Sequence, residues 1–489
     1  MRKSGILMPL FSLPSKWAIG TMGAPSYAFI DFLKSAGQSV WQMLPIVPAD
    51  YTYSPYQSFS CFAGDPVFID PELMVQDGLL NPDVLTHLKS PESPYFVDYD
   101  TVKYNNELFL KSAFENYSFG EEYNKFLENN RFWVFDYAMY LGIKKATEKN
   151  CWTEFEEPLK VREKSALDTF YKANKSLVDY YIFIQFVFFK QWQKLKDYAK
   201  ENGIEIFGDM PIYAPLDSAD VWANKNCFML DKNGSPSFIA GTPPDAFSKF
   251  GQLWGCPVYD FESMKKQDVP YLWWRRRIAH ANQMFTSVRI DHFRAFESFY
   301  AIPAGEKTAE NGRWIKGPGK EFFDLCFEDI GKVSVVAEDL GLITKPVREL
   351  LESTGFPGMR VLQFAFDGDK TNPYLPHNYS KNTVAYIGTH DNTTVNAWYD
   401  TLDAATKKRV DDYIAPKGEG INWALIRALM RSSADTVIFT MQDIMSLPEN
   451  ARINTPGTTS ANWRWRMANG CANDWLAGII KEMTEIYGR

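Results

Sequence analysis

"SVRIDHFRAFESF", residues 287–299, interleaves Val288, Ile290, Phe293 and Phe296 with Arg289, Asp291, His292 and Arg294. Successive side chains of a β-strand point to opposite faces, so Val288 and Ile290 share one face while Arg289 and Asp291 project together from the other. A strand buried on both faces is expected to be apolar along its length. Ionisable residues at its end mark the point where it leaves the core, and the alternation sets an arginine beside an acid.

Seven other runs have the same character. They are "GILMPL" (5–10), "SVWQMLPI" (39–46), "GIEIFGDMPIY" (203–213), "VSVVAEDLG" (333–341), "MRVLQFAF" (359–366), "TVAYIGTHD" (383–391) and "TVIFTMQDI" (436–444). Each ends in a polar cluster instead of a tight hairpin turn, and the later ones are separated by stretches long enough for a helix, as in βα units. Eight such strands close into a (β/α)8 barrel. The rival is a doubly wound open sheet, whose dinucleotide-binding form is weakened because no G-x-G-x-x-G follows the first strand.

The pattern predicts one catalytic barrel domain over 1–489 with two insertions. Roughly 150 residues separate the second run from the third, too many for an ordinary connection, and residues 50–200 read as a largely helical subdomain. Residues 220–285, rich in Pro and Gly, read as a loop-rich insertion at the barrel mouth. About 45 residues follow the eighth run, too few for a C-terminal β-sandwich.

Composition narrows the partners. A net charge of −8, with no basic block longer than Arg275-Arg276-Arg277, offers a nucleic acid little to hold. The apolar run "YYIFIQFVFF" (180–189) falls short of the ~20 residues that cross a bilayer, so no membrane partner is expected. The N-terminal apolar stretch is cut by Pro9 and Pro14, unlike a signal peptide, and six scattered cysteines without C-x-x-C spacing fit reduced thiols in the cytoplasm. The 15 Trp and 25 Tyr suit flat, polar-edged ligands such as sugars, although large core residues account for most of them.

If the runs are barrel strands, their C-terminal ends share the rim where barrel enzymes place catalysis. Asp209, Asp291, Glu338, Asp339, His390, Asp391 and Asp443 stand at those ends. Any one acid there is readily a helix cap or an arginine partner, but several like charges converging on one rim persist mainly where a cation or a reaction uses them. A divalent metal competes as the explanation, and Arg289 and Arg294 argue against it by supplying positive charge themselves. Paired carboxylates without a nucleophilic Ser or Cys constellation fit glycosyl transfer, in which one attacks the anomeric carbon, a protonated one serves the leaving oxygen and a third stabilises the charged ring. With only five His in the chain, His390 reads as a sugar hydrogen-bonding group, not a metal ligand.

These residues sit in longer motifs: "SPYQSFSCFAGDP", "GDMPIY", "FSKFGQLWGCPVY", "VRIDHFRAF", "VAEDLG", "PGMRVLQFAF", "GTHDNTT" and "INTPGTTSANWRWR". In this order they resemble the 4-α-glucanotransferases, the amylomaltase or disproportionating-enzyme family of the α-amylase clan, over nearly the whole chain. The resemblance implies that Asp291 is the catalytic nucleophile, Glu338 the general acid/base and Asp391 the transition-state stabiliser. It implies that Arg289 orients the nucleophile and that His390, Asp209 and Tyr56 bind the transferred sugar. Asn462, Trp463, Asp245, Phe247, Gln252 and Trp254 are implied to line the glucan groove. Two departures stand out: "LMPLFSLPSKWAIGTMG" lacks the His-Pro and Tyr-Gly pairs usual in relatives, and Ala246 stands where an aromatic residue is common.

The expected activity is retaining transfer of α-1,4-glucan segments between maltooligosaccharides, starch- or glycogen-derived chains and glucose, with no cofactor and no metal. The alternatives are an α-1,4-glucan hydrolase and a non-catalytic glucan-binding barrel.

Overall fold

The computed structural model describes residues 2–244, 248–328, 331 and 334–489. Eight parallel strands form a closed barrel: β1 (Lys3–Leu7), β2 (Val40–Gln42), β3 (Glu205–Met210), β4 (Ser287–Ile290), β5 (Val335–Ala337), β6 (Gly358–Val361), β7 (Thr383–Tyr386) and β8 (Thr436–Thr440). Each lies beside its neighbours in chain order, and β8 pairs with β1 from Lys3↔Thr436 to Leu7↔Thr440. Every one of the eight apolar runs supplies one strand, because a sheet covered on both sides needs side chains such as Ile6, Ile206, Val288, Ile290, Val335 and Ile438, all buried. The open sheet is excluded by the closure.

Between β2 and β3 the chain runs through the helices Tyr99–Glu115, Glu121–Asn130, Val134–Thr147, Lys164–Ala173 and Lys175–Glu201. The last carries the run "YYIFIQFVFF" and buries Ile182, Phe183, Phe186, Phe188 and Trp192. Gln185, the polar residue inside that run, is buried but satisfied: it accepts from the Gly64 amide at 2.8 Å and donates to the Gly64 carbonyl at 2.9 Å. Gln191 treats the backbone of Asp70 the same way, at 2.8 and 2.9 Å. Position 64 requires glycine, since a Cβ there would lie 2.1 Å from the Phe188 ring. Among the described residues no helix is long and apolar enough to cross a membrane.

The segment after β3 holds more regular structure than its Pro- and Gly-rich composition suggested. Strands Phe238–Thr242 and Gln252–Pro257 join Ser298–Pro303 and Arg313–Lys316, from the β4–β5 connection, in an antiparallel four-stranded sheet. Helix Leu272–Met284 then leads into β4. After β8, the chain ends in helix Asp474–Tyr487, packed against helix Ala24–Ser35.

Candidate active site

Register brings the site together. In the β3–β4 ladder Asp209 pairs with Arg289, so both side chains leave the same face of the sheet, and Asp291 follows two residues later on that face. Arg289 donates through Nη1 to both oxygens of Asp209, at 2.8 and 2.7 Å, and through Nη2 to Asp291 Oδ1 at 2.7 Å. One planar guanidinium therefore holds two carboxylates at once. Burial alone would depress Arg289, but Asp209 and Asp291 keep it above its already high ordinary value.

Tyr56 reaches the same cluster from the loop after β2. Its hydroxyl donates to Asp209 Oδ2 at 2.6 Å and lies 2.9 Å from His390 Nε2. The single phenolic proton goes to the carboxylate, so Nε2 of His390 carries a hydrogen and donates to the tyrosine. Burial holds His390 below its usual pKa, leaving a neutral ring that stacks on Tyr56 at 5.3 Å between centroids. The same Nε2 is 3.3 Å from Asp391 Oδ1, an oxygen that accepts from Asn454 Nδ2 at 2.6 Å. Arg452 fixes the Asp391 carbonyl at 2.6 Å.

Glu338, immediately after β5, accepts from the Leu340 amide at 2.7 Å and from the His292 amide at 2.8 Å. Both amides favour the carboxylate, yet burial outweighs them and raises its pKa. Burial likewise pushes Asp291 up to about 7, with Asp209, Glu338 and Asp391 adding to the rise and Arg289 opposing it. The direct contact with Arg289 favours the ionised form of Asp291, whereas the groups bonded to the Glu338 carboxylate are backbone amides.

Two further rim acids bond elsewhere. Asp339 pairs with Arg360 at 2.8 Å and accepts from the Met359 amide at 2.6 Å; its carboxylate fills the space beside Gly358, where a Cβ would meet it at 2.7 Å. Asp443 accepts from the Val395 amide at 2.7 Å and sits inside the short helix after β8. For these two the capping and pairing interpretation holds.

Of the expected groove residues, Trp254 packs edge-on against His292 at 4.8 Å, and its Nε1 donates to Gln252 Oε1 at 3.1 Å. The buried Trp463, with φ 62°, places its ring 5.7 Å from Tyr56 and 6.0 Å from His390. Asn462 commits its amide to its own loop, accepting from Thr455 N at 3.0 Å and donating to the Thr458 carbonyl at 3.0 Å. Asp245 and Phe247 lie outside the described residues. Sequence reading passed over Asn454 and Arg452; Asn454 lies inside the motif "INTPG", which was the available signal. Among the described residues no group of three His, Cys, Asp or Glu is arranged to hold a metal, and Arg289 supplies the positive charge at the cluster.

A carboxylate bonded to a guanidinium, a second held by two backbone amides and a third acid fixed by an asparagine form a set able to break and remake a glycosidic bond. The chain is 42% identical over 487 residues to a 4-alpha-glucanotransferase of Clostridium butyricum, covering 99% of this chain and all of the other. It is 44% identical over 493 residues to that of Aquifex aeolicus, with complete coverage of both. The amylomaltase of Streptococcus agalactiae, solved with acarbose, superposes with a TM-score of 0.97 at 37% identity over the whole of both chains. With the 4-alpha-glucanotransferase family model matching residues 8–472, the chain belongs to the 4-alpha-glucanotransferase family.

Proposed function

We propose that this enzyme disproportionates maltooligosaccharides by a retaining double displacement, with Asp291 as nucleophile, Glu338 as acid/base and Asp391 as stabiliser. A carboxylate oxygen of Asp291 bonds to C1 of the donor while the C1–O4' bond breaks and the Glu338 proton passes to the departing 4'-oxygen. The 4-OH of an acceptor glucan then gives its proton to Glu338 as its oxygen bonds to C1 and releases Asp291. Two inversions leave the new linkage α. The observation that carries this reading is the Arg289 fork, which joins Asp291 to Asp209 and stations the charge where the attack begins.

Tyr56, Asp209 and His390 bind the sugar being transferred, with Asp391 contacting its hydroxyls. Gln252, Trp254 and Trp463, together with Asp245, Phe247 and Asn462, line the groove. Transfer needs an acceptor sugar to outcompete water at the glycosyl-enzyme, and the mouth loop around Asp245 to Trp254, which carries the exposed Phe250, is the candidate for that shielding. Maltooligosaccharides and starch- or glycogen-derived glucans are the substrates, and acarbose is an expected ligand. Six unpaired cysteines, four of them pushed well up by burial, suit a reducing compartment, and we place the enzyme in the cytoplasm.

Maltotriose alone, followed by product chromatography, tests the reaction: a ladder of shorter and longer maltooligosaccharides is expected, whereas steadily rising reducing ends would mean hydrolysis. Asp291→Asn is expected to abolish turnover while calorimetry shows maltooligosaccharide binding nearly intact.

A further inference from the structure

His292, Phe293 and Arg294 follow the nucleophile and have no part in the chemistry above, yet all three bond to the segment that carries Glu338. The β4–β5 ladder runs from Val288↔Val335 to Ile290↔Ala337, and the Glu338 amide continues it by donating to the Ile290 carbonyl at 3.0 Å. Left-handed backbone at His292, φ 50°, then turns the chain so that its donors face Glu338. The His292 amide takes the Glu338 carboxylate at 2.8 Å and the Phe293 amide takes the Glu338 carbonyl at 3.2 Å. Arg294 reaches farthest, donating through Nη1 to the carbonyl of Leu342, at the far end of the loop. Leu342 itself is 62% exposed, so packing does not hold that end of the loop.

The Arg294 guanidinium is buried, and its central carbon lies 3.8 Å from the ring of Trp314, in the edge strand Arg313–Lys316 of the four-stranded sheet. Nη2 adds a bond to Ser298 Oγ, in the adjoining strand, at 3.3 Å. One side chain thus touches the nucleophile's turn, the acid/base loop and the sheet that stands outside the barrel. We propose that Arg294 is a positioning residue for the acid/base, holding the 338–342 loop against the turn after β4 and anchoring it to the sheet through Trp314. This rests on Glu338 being the acid/base.

A displacement on the order of 1 Å at a reacting group costs about a hundredfold in rate, so loosening the loop impairs proton transfer before it impairs anything else. The test separates steps that need Glu338 from steps that do not. Maltotriose disproportionation needs it twice. With α-maltosyl fluoride as donor and azide as acceptor, fluoride leaves as an anion, azide nitrogen bonds to C1, Asp291 is released and no proton moves.

In Arg294→Ala, the ratio of maltotriose disproportionation to maltosyl azide formation is expected to fall about thirtyfold relative to the unaltered enzyme, within the range set by that displacement. Arg294→Lys, which keeps the charge and one donor, should fall in between, and Trp314→Ala about threefold. Both activities falling together in Arg294→Ala overturns the proposal. If that variant does not fold, an unchanged ratio in both Arg294→Lys and Trp314→Ala overturns it. Glu338→Ala is the separate check on the underlying assignment: it should form maltosyl azide of retained α-configuration. An inverted product, or none, removes Glu338 as acid/base and with it the proposal, whatever the Arg294 ratios show.

Discussion

Glu338 and Asp339 stand side by side after β5, yet their surroundings differ in kind. Glu338 is held by two backbone amides that bind its carboxylate without neutralising it. Asp339 is held by the guanidinium of Arg360 and the Met359 amide, in a space that a glycine keeps open. Burial raises the pKa of both. The difference lies in the directly bonded partner: Asp339 is paired with a guanidinium, whereas the groups bonded to Glu338 are neutral amides and the cation acting on it, Arg289, is bonded to other acids. The proposed acid/base and an architectural carboxylate are therefore adjacent in the chain, told apart by the groups bonded to them.

Exchanging each for its amide should break the comparison most sharply. Glu338→Gln is expected to lower kcat on maltotriose on the order of a thousandfold, with little change in melting temperature. Next comes the fork: Arg289→Lys supplies one point charge where two carboxylates need a planar pair of donors, and kcat/KM should drop about a hundredfold. Asp339→Asn should do the reverse of Glu338→Gln, leaving kcat within about threefold while costing roughly 2 kcal/mol of stability in urea titrations, since Arg360 loses its partner. A thousandfold loss from Asp339→Asn would erase the distinction.

The smallest effect is a pH dependence. Folding raises the Asp291 carboxyl from 3.8 to about 7, so its contribution to stability is present below pH 4 and lost as pH rises through about 7. Asp291→Asn, uncharged throughout, should be more stable than the unaltered enzyme at pH 8 by about 1–2 kcal/mol, the gap closing toward pH 4. On the proposed mechanism, which needs Asp291 ionised, the same shift places the acidic limb of the kcat/KM profile near pH 7.

The barrel was legible because its strands are buried on both faces, which forces apolar runs such as "TVIFTMQDI" into the sequence. The four-stranded sheet was not, because Gly241 and Gly255 interrupt its pattern and its edge strand Arg313–Lys316 is mostly exposed. Which rim acid faces its neighbours' charges was not legible either. All three acids stand after the last paired residue of their strands in similar polar clusters, so Asp339 and Asp443 read as equals of Glu338. Tyr56 belonged to a motif, but its bond to Asp209 spans 153 positions and depends on how the intervening chain folds.

That dependence gives the buried Gln185 a larger meaning. Helix Lys175–Glu201 grips the Tyr56 segment at Gly64 and, a few residues after its own end, becomes β3 with Asp209. The helix acts as a caliper whose two jaws carry the two partners of the Tyr56–Asp209 hydrogen bond. The spacing of Tyr56 and Asp209, the proposed sugar-binding pair, is thus gauged by a rod of 27 residues lying outside the cluster.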